Sequence, residues 1–238
     1  MRLLLMCEVI PLTVGLLLGT PGAWTPAASA EVLDDPWQIV STRSRGGVEM
    51  SVYVEAQKKP GRPAFRIETS LEASPPAAAA TLMEAMLESK EAMAGERRRL
   101  IERTDREALV HTYVDLPLMF SDREVAIRVR HTDDLATGTH RIDWVDENEA
   151  LPPVGDGVLR LATEGYWEFR PSGGRSSATY VTRAEVGGSL PDALSDRLMR
   201  TQAVDTVKRL QRLLEERGRT HVAGPPPRAL ATSEHDNE

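Results

Sequence analysis

The chain of 238 residues contains one cysteine, Cys7, placed ahead of its first apolar run. Once that run is set aside as a leader, no thiol remains. Disulfides and cysteine-ligated zinc are then excluded, so burial of apolar surface has to stabilise the fold. Excess positive charge is missing too. A net charge of −7 speaks against nucleic acid as a partner, because such affinity rests on neutralising phosphates. Strong adsorption to an anionic membrane is disfavoured for the same reason, while transient membrane contact through a small apolar loop stays open. The five histidines, at 111, 131, 140, 221 and 235, lack metal-ligand spacing. Neither a phosphate loop nor a nucleophile elbow is present, and Gly187-Gly-Ser-Leu-Pro191 reads as a break before a helix, with its serine as a cap. The expectation is a non-enzyme with no catalytic residues, no cofactor and no metal.

Residues 1–30 differ from the rest. Arg2 precedes the apolar run Val9-Ile-Pro-Leu-Thr-Val-Gly-Leu-Leu-Leu18, and Ala28-Ser29-Ala30 supplies the small residues signal peptidase requires. The run is short for a bilayer span, and Glu8 and Pro11 weaken it as an anchor. A signal peptide cleaved after Ala30 and a secreted or periplasmic protein are expected. Residues 31–222 then form one domain, consistent with 41% apolar and 27% charged residues. The tail 223–238, with Pro225-Pro-Pro227 and no periodicity, is expected to be disordered.

Period-two alternation marks strands at Trp37–Arg43, Val48–Glu55 and Ala64–Glu72, an antiparallel meander. Ser74-Pro75-Pro76 opens a helix with Leu82, Met83, Met86 and Leu87 on one face, ending near Met93 to Gly95. Further strands are expected at Arg97–Arg103, Glu107–Asp115, Arg123–His131, Thr139–Asp146, Val158–Arg170 and Arg175–Glu185, the last two joined by Pro171-Ser-Gly-Gly174. A long amphipathic helix follows, with Leu194, Leu198, Ala203, Val207, Leu210 and Leu214 near one face. Its stripe has to lie on the sheet. If the sheet curls around it, the space between is a cavity.

His111 and Tyr113 point the same way along their strand, either into that cavity or onto a polar outer face beside Asp115. Arg128 and Arg130 alternate with Val125, Ile127 and Val129 and read as a solvated outer face. Trp167 and Phe169 read as core or cavity wall. Leu116-Pro-Leu-Met-Phe-Ser121 is apolar where a loop should be polar, so Leu116, Pro117, Leu118, Met119 and Phe120 are either a core plug or, preferably, a hydrophobic lid.

These residues resemble the START lipid-transfer domain, within the helix-grip superfamily that also holds polyketide cyclases and plant hormone receptors. The resemblance runs from Trp37 to about Leu214, carried by Leu116-Pro-Leu-Met-Phe-Ser-Asp-Arg-Glu-Val125, by Gly165-Tyr-Trp-Glu-Phe-Arg-Pro171, by Tyr180 with Glu185-Val-Gly-Gly-Ser-Leu-Pro191, and by Arg99-Leu-Ile-Glu102. Val186, where the family usually has proline, and Glu124, where aspartate is commoner, depart from its pattern. The resemblance implies an α+β helix-grip fold: a curved antiparallel sheet wrapped around a long C-terminal helix, with an internal hydrophobic cavity. It implies binding, and transfer, of a lipid or other hydrophobic small molecule. Candidate cavity residues are His111, Tyr113, Trp167, Phe169, Leu198 and Met199, with Leu198 and Met199 joining loop 116–121 in the gate. A cyclase-type enzyme, which would need a polar pair such as His111 and Tyr113 inside the tunnel, and an envelope interaction module with a filled cavity are the competing readings.

Overall fold

Alternation of apolar and polar side chains turns every expected strand into a member of one ten-stranded sheet. The computed structural model describes residues 36–45, 48–56, 62–88, 96–115, 121–185 and 192–222. Strands β1 (Trp37–Arg45), β2 (Val48–Glu55) and β3 (Ala64–Leu71) form the antiparallel meander, followed by helix α1 (Pro75–Leu87). After α1 come β4 (Glu96–Arg103), β5 (Glu107–Val114), β6 (Asp122–Asp134), β7 (Thr139–Asp146), a 3-10 turn at Asn148–Ala150, β8 (Val158–Arg160), β9 (Ala162–Ser172) and β10 (Arg175–Glu185). Helix α2 (Asp192–Val222) closes the order. The strands run β1-β2-β3-β10-β9-β7-β6-β5-β4, so the β3–β10 pairing, from Ala64↔Arg183 to Leu71↔Ser176, welds the two meanders together. The sheet is curved and unclosed.

Three local expectations are corrected. Helix α1 stops at Leu87, because Glu88 turns to extended backbone (φ −66°, ψ 133°) while its N–H still bonds the Glu84 carbonyl. The strand expected from Val158 to Arg170 breaks at Leu161: β8 pairs in parallel with the start of β6, and β9 continues along β7. Asn148 pins this break, donating from Nδ2 to the Leu161 carbonyl at 2.8 Å and accepting at Oδ1 from the Ala126 N–H at 3.2 Å. Such a fork depends on a residue outside the strand, so alternation cannot reveal it.

The third correction concerns α2. Its buried stripe is Met199, Ala203, Val207, Leu210 and Leu214, with Val204 beside it, whereas Leu198 is 48% exposed. A five-residue step from Leu198 to Ala203 overshoots a turn of about 3.6 residues by more than a third of a turn. Met199 is four residues from Ala203 and takes the place. The stripe packs over β3 and β10, and α2 also contacts α1. Both edge strands, β1 and β4, carry irregularities, between Ile39 and Ser41 and between Leu100 and Glu102. Bulges of this kind interrupt the row of free backbone groups that an edge otherwise offers to other chains.

Candidate functional site: the inner face of the sheet

Strand register assigns every side chain to one of two faces. Val52 lies opposite Ile67, Ile67 opposite Tyr180, Tyr180 opposite Trp167, and Trp167 opposite Ile142. All five join one buried cluster with the α1 residues Ala78, Ala79 and Leu82 and with the α2 stripe. This inner face is paved with aromatics. The Trp167 and Tyr180 ring centroids are 4.6 Å apart, Trp167 and Phe169 5.6 Å, and Trp144 and Tyr180 5.7 Å. Burial raises the Tyr180 phenol above the ordinary value, against the smaller opposing influence of the Thr182 and Thr206 hydroxyls.

Of the residues singled out from sequence, Trp167, Phe169 and Met199 meet here, at 2%, 0% and 9% exposure. Leu198 lies off the stripe. His111 and Tyr113 do not face α2, which corrects the cavity reading of both. Their partners across the strands are Ala126 and Glu124, while Val110 and Thr112 take the inner face opposite Ile127 and Val125. His111 Nε2 sits 3.2 Å from Glu124 Oε2, and Glu124 also pairs with Arg160 at 3.1 Å. Tyr113 donates its hydroxyl to Asp122, which raises its pKa, and its ring lies under the Arg97 guanidinium. The outer-face alternative therefore holds for this pair. The gate segment Leu116, Pro117, Leu118, Met119 and Phe120 lies outside the described residues, as do the leader 1–30, Gly187–Pro191 and the tail 223–238.

Reading the sequence missed the polar groups of the inner face. Glu96, opposite Val114, is 5% exposed and accepts from Arg98 Nε at 2.6 Å; Arg98 also donates to the Ala85 carbonyl of α1 at 2.7 Å. Arg209 of α2 feels this pair: burial first, and then the Arg98 charge, lower its pKa. The two-residue spacing of Glu96 and Arg98 shows that they share a face, but not which one. That only the sheet's register decides.

The outer face is a lattice of ion pairs, as expected for Arg128 and Arg130. Arg128 is clamped between Glu147 at 2.5 Å and Glu102 at 3.2 Å, which raises its own pKa and lowers that of Glu147. Arg130 meets Glu107 at 2.6 Å, and Arg183 meets Glu55 and Glu164. An open depression of about 500 Å³ on this face is lined in part by Arg128, Arg141 and Arg183, already paired with Glu147, Asp143 and Glu164. Among the described residues there is no group of three or more His, Cys, Asp or Glu that could hold a metal, and no helix long and apolar enough to cross a membrane.

No family model matches the chain. An uncharacterized protein of Pseudomonas aeruginosa is 28% identical over 121 residues, 50% of this chain and 59% of that protein, so the match spans less than two thirds of the relative. Among solved structures, the STAR-related lipid transfer protein of Xanthomonas axonopodis (fragment 25–204) superposes with a TM-score of 0.64 and 22% identity, over 76% of this chain and 99% of that one. The chain has the START helix-grip fold. Human STARD10 (TM-score 0.62, 16% identity, 81% of this chain and 79% of that one) and human StAR-related lipid transfer protein 5 (0.60, 16%, 77% and 88%) have the same START fold. In START terms, the aromatic inner face and α2 are the grip, and the β4 edge is one margin of it.

Proposed function

We propose that this protein binds and carries a lipid or other hydrophobic small molecule between the inner face of its sheet and α2. One observation carries the reading: the apolar inner face extends beyond the footprint of the helix. Helix α2 packs over β3 and β10, yet Leu100, on the inner side of β4 opposite Val110, is still 38% exposed at the far margin. Apolar surface of that kind gains roughly 0.8 kcal/mol for each methylene of a ligand it hides from water. The START fold, shared with proteins named for lipid transfer, agrees with it. A carrier is favoured over a cyclase-type enzyme because His111 and Tyr113, the polar pair such chemistry would use, face outward onto Glu124 and Asp122.

The reading includes a gate formed by loop 116–121, and a leader removed after Ala30 that sends the protein to the periplasm or outside the cell. Native mass spectrometry of the gently purified protein tests the first part, with a bound apolar mass as the expected result. Serine at Met119 and Phe120 should slow lipid exchange between vesicles while leaving the melting temperature nearly unchanged; equal loss of stability would make the loop a core plug. Intact mass of protein from its native host tests the leader, and a retained Met1 would remove the secretory part of the reading.

A further inference from the structure

The β4 margin differs from the ion-paired outer face of the sheet. Every residue from 99 to 106 is exposed, including the apolar Leu100 and Ile101 at 38% and 37%. The acids that could neutralise its arginines are already engaged: Glu102 with Arg128, Glu107 with Arg130, and Asp133 with Arg106. Arg99 and Arg103 have no ion pair among the described residues, and Arg97 has only the face of Tyr113, 4.8 Å from its ring centroid. Near these three cations the exposed acids are Asp105, Asp115 beside Tyr113, and Glu102 in its pair with Arg128. A chain of net charge −7 thus keeps a positive edge with an apolar centre.

We infer that this edge docks the protein on a membrane surface containing anionic lipids. Arginine guanidinium groups meet phosphates bidentately, and Leu100 and Ile101 between Arg99 and Arg103 supply side chains able to enter the boundary between headgroups and acyl chains. The overall negative charge does not prevent this. Screening confines electrostatics to about 8 Å at physiological salt, so the membrane feels the nearby arginines and little of the distant acids. The other partner suited to a basic edge strand is an extended acidic polypeptide adding as a further strand. The bulge between Leu100 and Glu102 argues against it, because it interrupts the backbone ladder such a strand would need. Docking here also makes sense of position. Leu100 lies on the inner side of β4 opposite Val110, so docking along this edge would set that margin of the inner face against the lipid. In this respect the inference deepens the carrier reading, but docking itself requires no cargo.

The test is cosedimentation of the full chain with vesicles of equal parts phosphatidylcholine and phosphatidylglycerol, and with phosphatidylcholine alone. Binding is expected only to the mixed vesicles, falling steeply as sodium chloride rises. Serine at Arg97, Arg99 and Arg103 should weaken it by roughly fivefold per arginine, on the order of a hundredfold for all three. Leu100→Ser with Ile101→Ser should weaken it with the salt dependence unchanged. Circular dichroism and melting curves confirm folding, and single Arg99→Gln serves if the triple variant misfolds. Equal binding to both vesicles, no binding, or an unaffected arginine variant overturns the inference, as does capture of polyglutamate without vesicle binding. Docking without any bound apolar mass would uphold this surface and remove the carrier reading; the reverse result would do the opposite.

Discussion

Trp144 lies across Gly165, its partner on the neighbouring strand, so closely that a Cβ on Gly165 would come within 2.3 Å of Trp144 Cζ2 and 2.2 Å of the Val181 carbonyl oxygen. Glycine is required here by the approach of a ring. Gly165→Ala should therefore destabilise by about 1–3 kcal/mol through overpacking. Chemical denaturation measures it, and Trp144→Leu in the same chain should recover part of the loss, since residues in contact are not additive. Additive effects would mean that the ring does not depend on the missing side chain.

The stripe on α2 predicts a sharp contrast between two leucines. Leu210, 2% exposed in the central cluster, should lose about 2–5 kcal/mol on truncation to alanine. Leu198, half in solvent, should change stability by no more than about 0.5 kcal/mol. Denaturant midpoints of the two variants decide it, and similar losses would show that Leu198 packs where its exposure says it does not.

The Glu96–Arg98 pair should behave as a unit. Glu96→Gln leaves the largely buried Arg98 guanidinium without its charge partner, with a cost of about 3–5 kcal/mol for a buried pair broken on one side. Replacing both, Glu96→Leu with Arg98→Met, should cost less than either single change. A double variant worse than both singles would show that the pair contributes net stability.

Stability should fall with mild acid because of His131. Its ring stacks on His140 at 5.3 Å, with Nε2 3.1 Å from the His140 Nδ1. Burial, and then the His140 charge, hold its pKa below the ordinary 6.5; Asp133 pulls it upward and Arg106 pushes it down. A depressed folded pKa means that the unfolded chain takes up the proton first. The contribution is complete above pH 6.5 and is lost as pH falls from there through the folded value. Melting temperatures between pH 7.5 and pH 5, scales set by the ordinary histidine range of roughly 6.5, should decline in the native protein and decline less in His131→Gln.

Local alternation was enough to reveal the strands and both helices, because a half-buried strand and a surface helix write their periods into the chain. The short connections and the order of motifs from Leu116 to Pro191 carried the fold class as well. Which face of a strand turns inward is another matter. Glu96 and Arg98, or His111 and Tyr113, have the same two-residue spacing, yet the β4–β5–β6 register sends the first pair under the helices and the second outward. Leu198 and Met199 are a different case: helical spacing to Ala203 already favours Met199, and packing of α2 over β3 and β10 buries it. The sequence by itself determined where strands and helices form, since their periods depend on neighbours along the chain. The tertiary structure alone decided the lining of the inner face, the fork at Leu161 and the uncompensated arginines of β4, because each depends on partners brought together from distant strands.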